Sequence, residues 1–231
     1  MAENVRAEGG PGSMRMSRVV AVALAAGLAA ASCGGKAPEL PAVEYRIEMR
    51  PSPAGAYESL SVFADVKDQN GSGDIVELRI VEDEARLIWK LSEANWTRKT
   101  DGGDTWIGAA DLVRSDYSVL PRGEYRVMAI DAAGESVERG FKVEGGFPER
   151  APPSISCAGG KLRTTSAWPE TLVLAYDAAG LLLASRPAPS GEASVEEVFG
   201  GGIAAKIREL AAYGYDPGAR AGYYSQRTDA R

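Results

Sequence analysis

Side chains able to hold a hard cation are gathered in one short stretch. Asp68, Asn70, Ser72 and Asp74 put an oxygen at every second position, and Gly71 and Gly73 allow the tight backbone such a loop needs. Calcium prefers clustered oxygen donors of this kind, which makes the stretch a candidate metal site. Aromatic stacking is the second chemistry on offer. Trp89, Trp96 and Trp106 can build a platform for a sugar or a protein; Trp89 alternates with Leu87 and Leu91 and reads as core, whereas Trp96, beside Thr97, Arg98 and Lys99, is the one expected at the surface as a ligand-binding residue. Other chemistries are removed by composition. With His 0 and Cys 2 the chain has no histidine base, no histidine-ligated metal and no multi-cysteine zinc site. Glu82, Asp83 and Glu84 fall in an expected hairpin turn and are not opposed across a cleft, as a glycosidase requires. No Ser-x-x-Lys or Gly-x-Ser-x-Gly motif is present, so no catalytic set assembles and the chain reads as a non-enzyme.

The stretch beginning at Asp68 is similar to the first eight places of an EF-hand loop, with oxygens at places 1, 3 and 5, Gly73 at 6 and Ile75 at 8. It departs at place 9, which is Val76, and at place 12, where Arg79 replaces the bidentate acid, and its flanks read as strands. A polar turn between strands therefore explains the same letters, with weak calcium binding through Asp68, Asn70, Ser72 and Asp74 as the alternative. No other cofactor is indicated.

The elements that must carry these residues follow an N-terminal leader. Arg15 and Arg18 precede Val19–Ala31, which holds only Val, Ala, Leu and Gly and is too short for the roughly 20 residues that span a bilayer. The run ends in Ala30-Ala31-Ser32-Cys33-Gly34-Gly35, which resembles the lipobox of bacterial lipoproteins. That resemblance implies lipid attachment at the Cys33 thiol, cleavage just before it and acylation, for instance with palmitate, at the new N-terminus. Residues 1–32 are then a signal peptide, with Met14 or Met16 as alternative starts, and 33–41 a lipidated tether. The implied location is a bacterial cell envelope, on the inner or outer membrane, with the body in the periplasm or at the surface. Cys157, left as the unmodified thiol, reads as a small buried residue.

Between 42 and 146, apolar and polar residues alternate with the period of half-buried strands: Val43 to Met49, Leu60 to Val66, Val76 to Ile80 and Leu87 to Leu91, followed by Thr105–Ala109, Glu124–Ile130 and Ser136–Val143. Seven short strands predict an antiparallel β-sandwich. Leu120-Pro121-Arg122-Gly123-Glu124-Tyr125-Arg126-Val127 resembles the run before the penultimate strand of fibronectin type III and related bacterial immunoglobulin-like domains. The resemblance implies that Tyr125 buries its ring and returns its hydroxyl to the backbone as a tyrosine corner.

Residues 147–153 read as a stiff proline-rich linker, and 154–231 as a small α+β domain. In that domain Asp177-Ala178-Ala179-Gly180 predicts a hairpin turn, the same four letters as Asp131–Gly134. Ser194 and Glu197 predict a capped helix start that Gly200–Gly202 interrupts. Ile203, Ile207 and Leu210 predict a further helix stopping at Gly214, and Tyr223 and Tyr224 a last strand. The fold expected is thus mainly β, an immunoglobulin-like antiparallel sandwich followed by a small α+β unit. The function expected is a binding or assembly module, lipid-anchored to a membrane and facing another envelope macromolecule, protein or glycan. A small-ligand module for glycan or calcium is the alternative. The net charge of −6 gives no footprint for nucleic acid.

Overall fold

The computed structural model describes residues 36–230; the leader, its alternative starts and Cys33 lie outside the described residues. The chain is mainly β. Each of the seven strands that alternation predicts is present, and the N-terminal part runs β1 (Glu39–Ser52), β2 (Gly55–Lys67), β3 (Ile75–Glu82), β4 (Leu87–Leu91), β5 (Thr97–Asp101), β6 (Asp104–Leu112), β7 (Gly123–Asp131) and β8 (Ser136–Val143). β5 is the addition. It is a polar edge strand paired only with β6, and because it sends no side chain into the core it has no apolar rhythm to betray it.

These strands form two layers, in the orders β1-β2-β6-β5 and β4-β3-β7-β8. Between them Ile47, Leu60, Val62 and Ile107 meet Leu78, Ile80 and Val127, each at most 1% exposed. Every such side chain removed from water stabilises the sandwich by about 2 kcal/mol. The tyrosine corner is formed at the turn into β7: Tyr125 is buried, and its hydroxyl donates to the Pro121 carbonyl at 2.9 Å. Arg122, one residue on, donates to the buried Glu58 carboxylate at 2.6 Å and to the Gly145 carbonyl at 2.6 Å, which fixes the exit from β8.

The C-terminal part contains β9 (Ser154–Ala158), β10 (Lys161–Thr165), β11 (Glu170–Tyr176), β12 (Leu182–Pro187), β13 (Ala193–Ser194), α1 (Val195–Phe199), α2 (Gly201–Ala204), β14 (Glu209–Asp216), β15 (Ala221–Tyr224) and β16 (Thr228–Asp229). The capping box forms, with Ser194 Oγ accepting from the Glu197 amide and Glu197 reaching back to the Ser194 amide. Gly200, at φ +76°, ends α1 as its sequence predicts. The helix expected through Ile203, Ile207 and Leu210 does not form beyond Ala204; Glu209–Asp216 is strand β14 instead. Three partners, β11, β15 and β16, supply a hydrogen-bond ladder that outweighs the helical spacing of three apolar residues.

Both parts share one sheet. β1 pairs in parallel with β15, matching Ile47 with Ala221, Glu48 with Gly222 and Met49 with Tyr223, and the sheet order is β12-β11-β14-β15-β1-β2-β6-β5. From Ala37 onward the described chain is one compact unit. The segment expected as a linker has no strand and is pinned along the joint: Trp168 Nε1 donates to the Ala151 carbonyl at 3.0 Å, and Arg150 pairs with Asp216 at 2.7 Å. Gly214 matters here, because a Cβ would lie 2.4 Å from Trp168 Cγ.

Register fixes the two faces of the long sheet. Ile47, Leu60, Ala221, Ala212, Leu210 and Val173 share one face, and the two larger hydrophobic cores lie on it: the sandwich core and a second one in which Leu162, Val195 and Phe199 cover Val173 and Leu210. A small third cluster of Leu174, Ala211 and Tyr213 is buried on the other face. The opposite face carries Arg46, Glu48, Arg50, Tyr57, Phe63, Tyr213, Tyr215 and Tyr224.

Burial, then the Glu82 carboxylate, pushes the Tyr125 phenol up to about 12. The neutral phenol is thus favoured by folding, so its contribution is complete below the ordinary tyrosine value of about 10 and is lost as pH climbs from there through the folded value. Tyr125→Phe is expected to cost about 1 kcal/mol at neutral pH. Urea titrations repeated at rising alkaline pH should show the variant losing less further stability than the parent.

Candidate functional site

On the face opposite the two larger cores, beside the small Leu174–Ala211–Tyr213 cluster, cations lie over aromatic rings. The Arg46 guanidinium sits 5.1 Å from the Tyr215 ring centroid, Arg50 4.5 Å from Tyr224 and Arg227 3.8 Å from Tyr176, while Lys99 Nζ lies 4.5 Å from the Phe63 ring and 5.5 Å from Trp106. β1 places Arg46 and Arg50 four residues apart, so both project to this face, and β14 places Tyr213 and Tyr215 two residues apart to the same effect. No sheet or helix of the described residues packs over it.

At its centre Glu48 is 3% exposed. Its carboxylate accepts from Arg50 Nη2 at 2.6 Å and from the Tyr213 and Tyr224 hydroxyls at 3.2 and 3.5 Å. Tyr213 reaches Glu48 by lying across β15 at Gly222, where a Cβ would stand 2.2 Å from the phenol oxygen. Arg50 is also held by Ser59 Oγ at 3.0 Å and by Asp111 at 3.3 Å. Burial, then the Glu48 charge, raises the phenols of Tyr213 and Tyr224 well above the ordinary tyrosine range, so both are neutral donors at physiological pH.

Two concavities flank this clasp. One of about 320 Å³ is bordered by Arg46, Ser61, Phe63 and Tyr215; the other, of about 290 Å³, by Arg50, Tyr57, Asp111, Tyr176, Tyr224 and Arg227. Fixed guanidinium groups and phenol rings of this kind suit recognition: they offer apolar area, hydrogen-bond donors and little side-chain freedom left to lose.

The residues singled out for cation binding divide. Asp68 and Asp74 come together, and their carboxylates meet that of Asp131 with one oxygen from each within 4.8 Å of the others. Asn70 instead donates its amide to Asp74 Oδ2 at 3.2 Å, and Ser72 accepts from Arg98 through both its hydroxyl, at 3.3 Å, and its carbonyl, at 3.2 Å. Asp131 escapes sequence reading because the β3–β7 register, which matches Ile75 with Asp131, is what brings it beside Asp74. Trp96 is half-buried, packs against the sandwich core and carries the Arg98 guanidinium 5.9 Å from its ring centroid. Cys157 is half-buried with its thiol donating to the Ala230 carbonyl at 3.4 Å, and burial raises its pKa, which leaves little thiolate.

Glu48→Gln keeps the shape of the clasp but removes the charge facing Arg50, and it is expected to cost about 2 kcal/mol of unfolding free energy. The raised phenol values mean that stability at this cluster is complete below pH of about 10 and falls above it. Without the Glu48 charge that fall should be shallower, which alkaline urea titrations of parent and variant would reveal.

No protein-family model and no curated protein matches the chain. Over 84% of its length the chain is similar to dimeric latent PorU from Porphyromonas gingivalis, at 18% identity and a TM-score of 0.35, covering 20% of that chain. Over 79% it is similar to Tp47, the 47-kilodalton lipoprotein of Treponema pallidum, at 14% identity and a TM-score of 0.40, covering 48% of that chain. The chain therefore spans about half or less of the length of either protein, and neither likeness carries function.

Proposed function

We propose that this chain is a lipid-anchored protein of a bacterial cell envelope, acting as a non-enzymatic binding or assembly module for another envelope macromolecule. The anchor rests on the leader and the small residues before Cys33, and acyl chains there would hold the body at a bilayer by about 0.8 kcal/mol per buried CH2. The observation that carries the binding role is the arginine–tyrosine face, which the long sheet holds clear of the two larger cores. Tyrosine and arginine dominate protein interface hot spots because they combine large rigid area with directed donors. We therefore name a folded envelope protein as the partner.

Two measurements test the two halves of this reading. Mass spectrometry of the protein from its native host should find Cys33 N-terminal and acylated, and Cys33→Ser should move the chain from the membrane to the soluble fraction. A bare Cys33, or a leader still attached, would remove the anchor. In cells, a photo-crosslinker in place of Tyr215 should give a discrete protein adduct that Arg50→Ala weakens, whereas one in place of the exposed Val76 should not. Equal labelling from both positions would remove the binding face.

A further inference from the structure

The two Asp-Ala-Ala-Gly turns of this chain are the same turn. At each, the glycine amide donates to the aspartate carbonyl at 3.1 Å, and the amide following the glycine donates to the aspartate Oδ1, at 2.8 Å for Asp131 and 2.9 Å for Asp177. Both glycines have positive φ, +87° at Gly134 and +76° at Gly180. The turn therefore accounts for one carboxylate oxygen and for the backbone shape. It does not account for the other oxygen of Asp131. That side chain is 1% exposed, and its Oδ2 is buried with no hydrogen-bond partner among the described residues. Asp177 has no such orphaned atom.

A second orphan stands beside it. Asp68 Oδ1 accepts from the Asn70 amide at 2.7 Å, yet Asp68 Oδ2 is likewise buried and unpartnered. Asp74 supplies the third carboxylate, and one oxygen from each of the three lies within 4.8 Å of the other two. Leaving two carboxylate oxygens buried and unpartnered, beside a third carboxylate, is costly unless a cation is shared between them. Two oxygens each about 2.4 Å from one calcium are separated by at most about 4.8 Å, so the three carboxylates are close enough to share one such ion; magnesium, which keeps several of its waters, is held less readily by a cage of protein carboxylates.

We propose that Asp68, Asp74 and Asp131 bind a calcium ion, which ties the β2–β3 connection to the end of β7. The donor set is oxygen alone, as a hard divalent cation requires. Neither the lipid anchor nor the arginine–tyrosine face enters the argument, so this site stands or falls separately from them.

Thermal unfolding and calorimetry of the full chain in calcium, magnesium or chelator test the site. Calcium at about 10 mM should raise the unfolding midpoint above its value in chelator, with half-saturation near 0.1–1 mM, the range of extracellular calcium modules, and with a smaller response to magnesium. Asp131→Asn retains the Oδ1 that the turn uses. It should leave the midpoint in chelator unchanged or higher, because a repelling charge is gone, while weakening calcium binding at least about tenfold. Asp177→Asn, at the same turn elsewhere, should respond to calcium like the parent. Should Asp131→Asn fail to fold, Asp68→Asn is read by the same calorimetry for the same loss. No calcium response in the parent, an equal response to magnesium, or a retained response in the aspartate variants would overturn the site.

Discussion

The parallel pairing of β1 with β15 is the contact on which the rest of the molecule depends. Without it the chain would be a sandwich and a separate β-rich remainder joined by residues 147–153. With it, nine strands from both parts run as one sheet. Parallel neighbours offer slightly weaker backbone pairing, and here only three residue pairs are matched, so side chains must reinforce the joint. Glu48 does so from β1, drawing in Tyr213 from β14 and Tyr224 from β15 across the bare backbone of Gly222. On the opposite face Trp168 and Tyr223 fill the same joint, with their rings 6.3 Å apart. A buried carboxylate is costly on its own; held by a guanidinium and two phenols, it becomes a device that specifies which strand lies beside which.

An asymmetry follows from this joint. Because β1 and β15 run in register, the pleat carries Ile47, Ala221, Ala212, Leu210 and Val173 to one face, where the second layer of the sandwich and the two short helices cover them. The other face receives the polar positions of β1 together with a small apolar cluster of Leu174, Ala211 and Tyr213. There Arg46, Glu48 and Arg50 would be an ordinary solvated row if the sheet ended at β1. The addition of β15 and β14 sets tyrosines beside them, and a charged row becomes a mixed aromatic and cationic surface. The groups that reinforce the joint are thus also those that shape the proposed binding face.

How much of this is legible in the sequence depends on how many faces of an element are buried. β3 and β7 alternate in burial along most of their length. β1 alternates in chemistry, and so does β2, which though buried on both faces sets Leu60, Val62 and Ala64 on one and Ser59, Ser61 and Asp65 on the other, so alternation reveals all four. β14 is paired on both edges and packed on both faces, so Leu210-Ala211-Ala212-Tyr213-Gly214 shows no alternation, and its leucine falls by coincidence on a helical spacing with Ile203 and Ile207. The arginine–tyrosine face is half visible. The period-two placement of Arg46, Glu48 and Arg50 can be read directly, but their tyrosine neighbours come from strands more than 160 residues away, as the Glu48–Tyr213 contact shows. Asp68 and Asp74 announce themselves by composition. Asp131 does not, since a turn aspartate looks the same whether or not its second oxygen has an outlet, and only the β3–β7 register distinguishes it from Asp177.

The claim that one short parallel joint makes the two parts a single body is tested most directly by native-state amide hydrogen exchange, resolved by peptide, on the full chain. If the joint holds, amides of β2, β7, β11 and β14 will share one highest opening free energy and lose protection together as urea is added. If β11 and β14 open at low urea while β2 and β7 remain protected, the parts are independent, and neither the clasp at Glu48 nor the face built around it unites them.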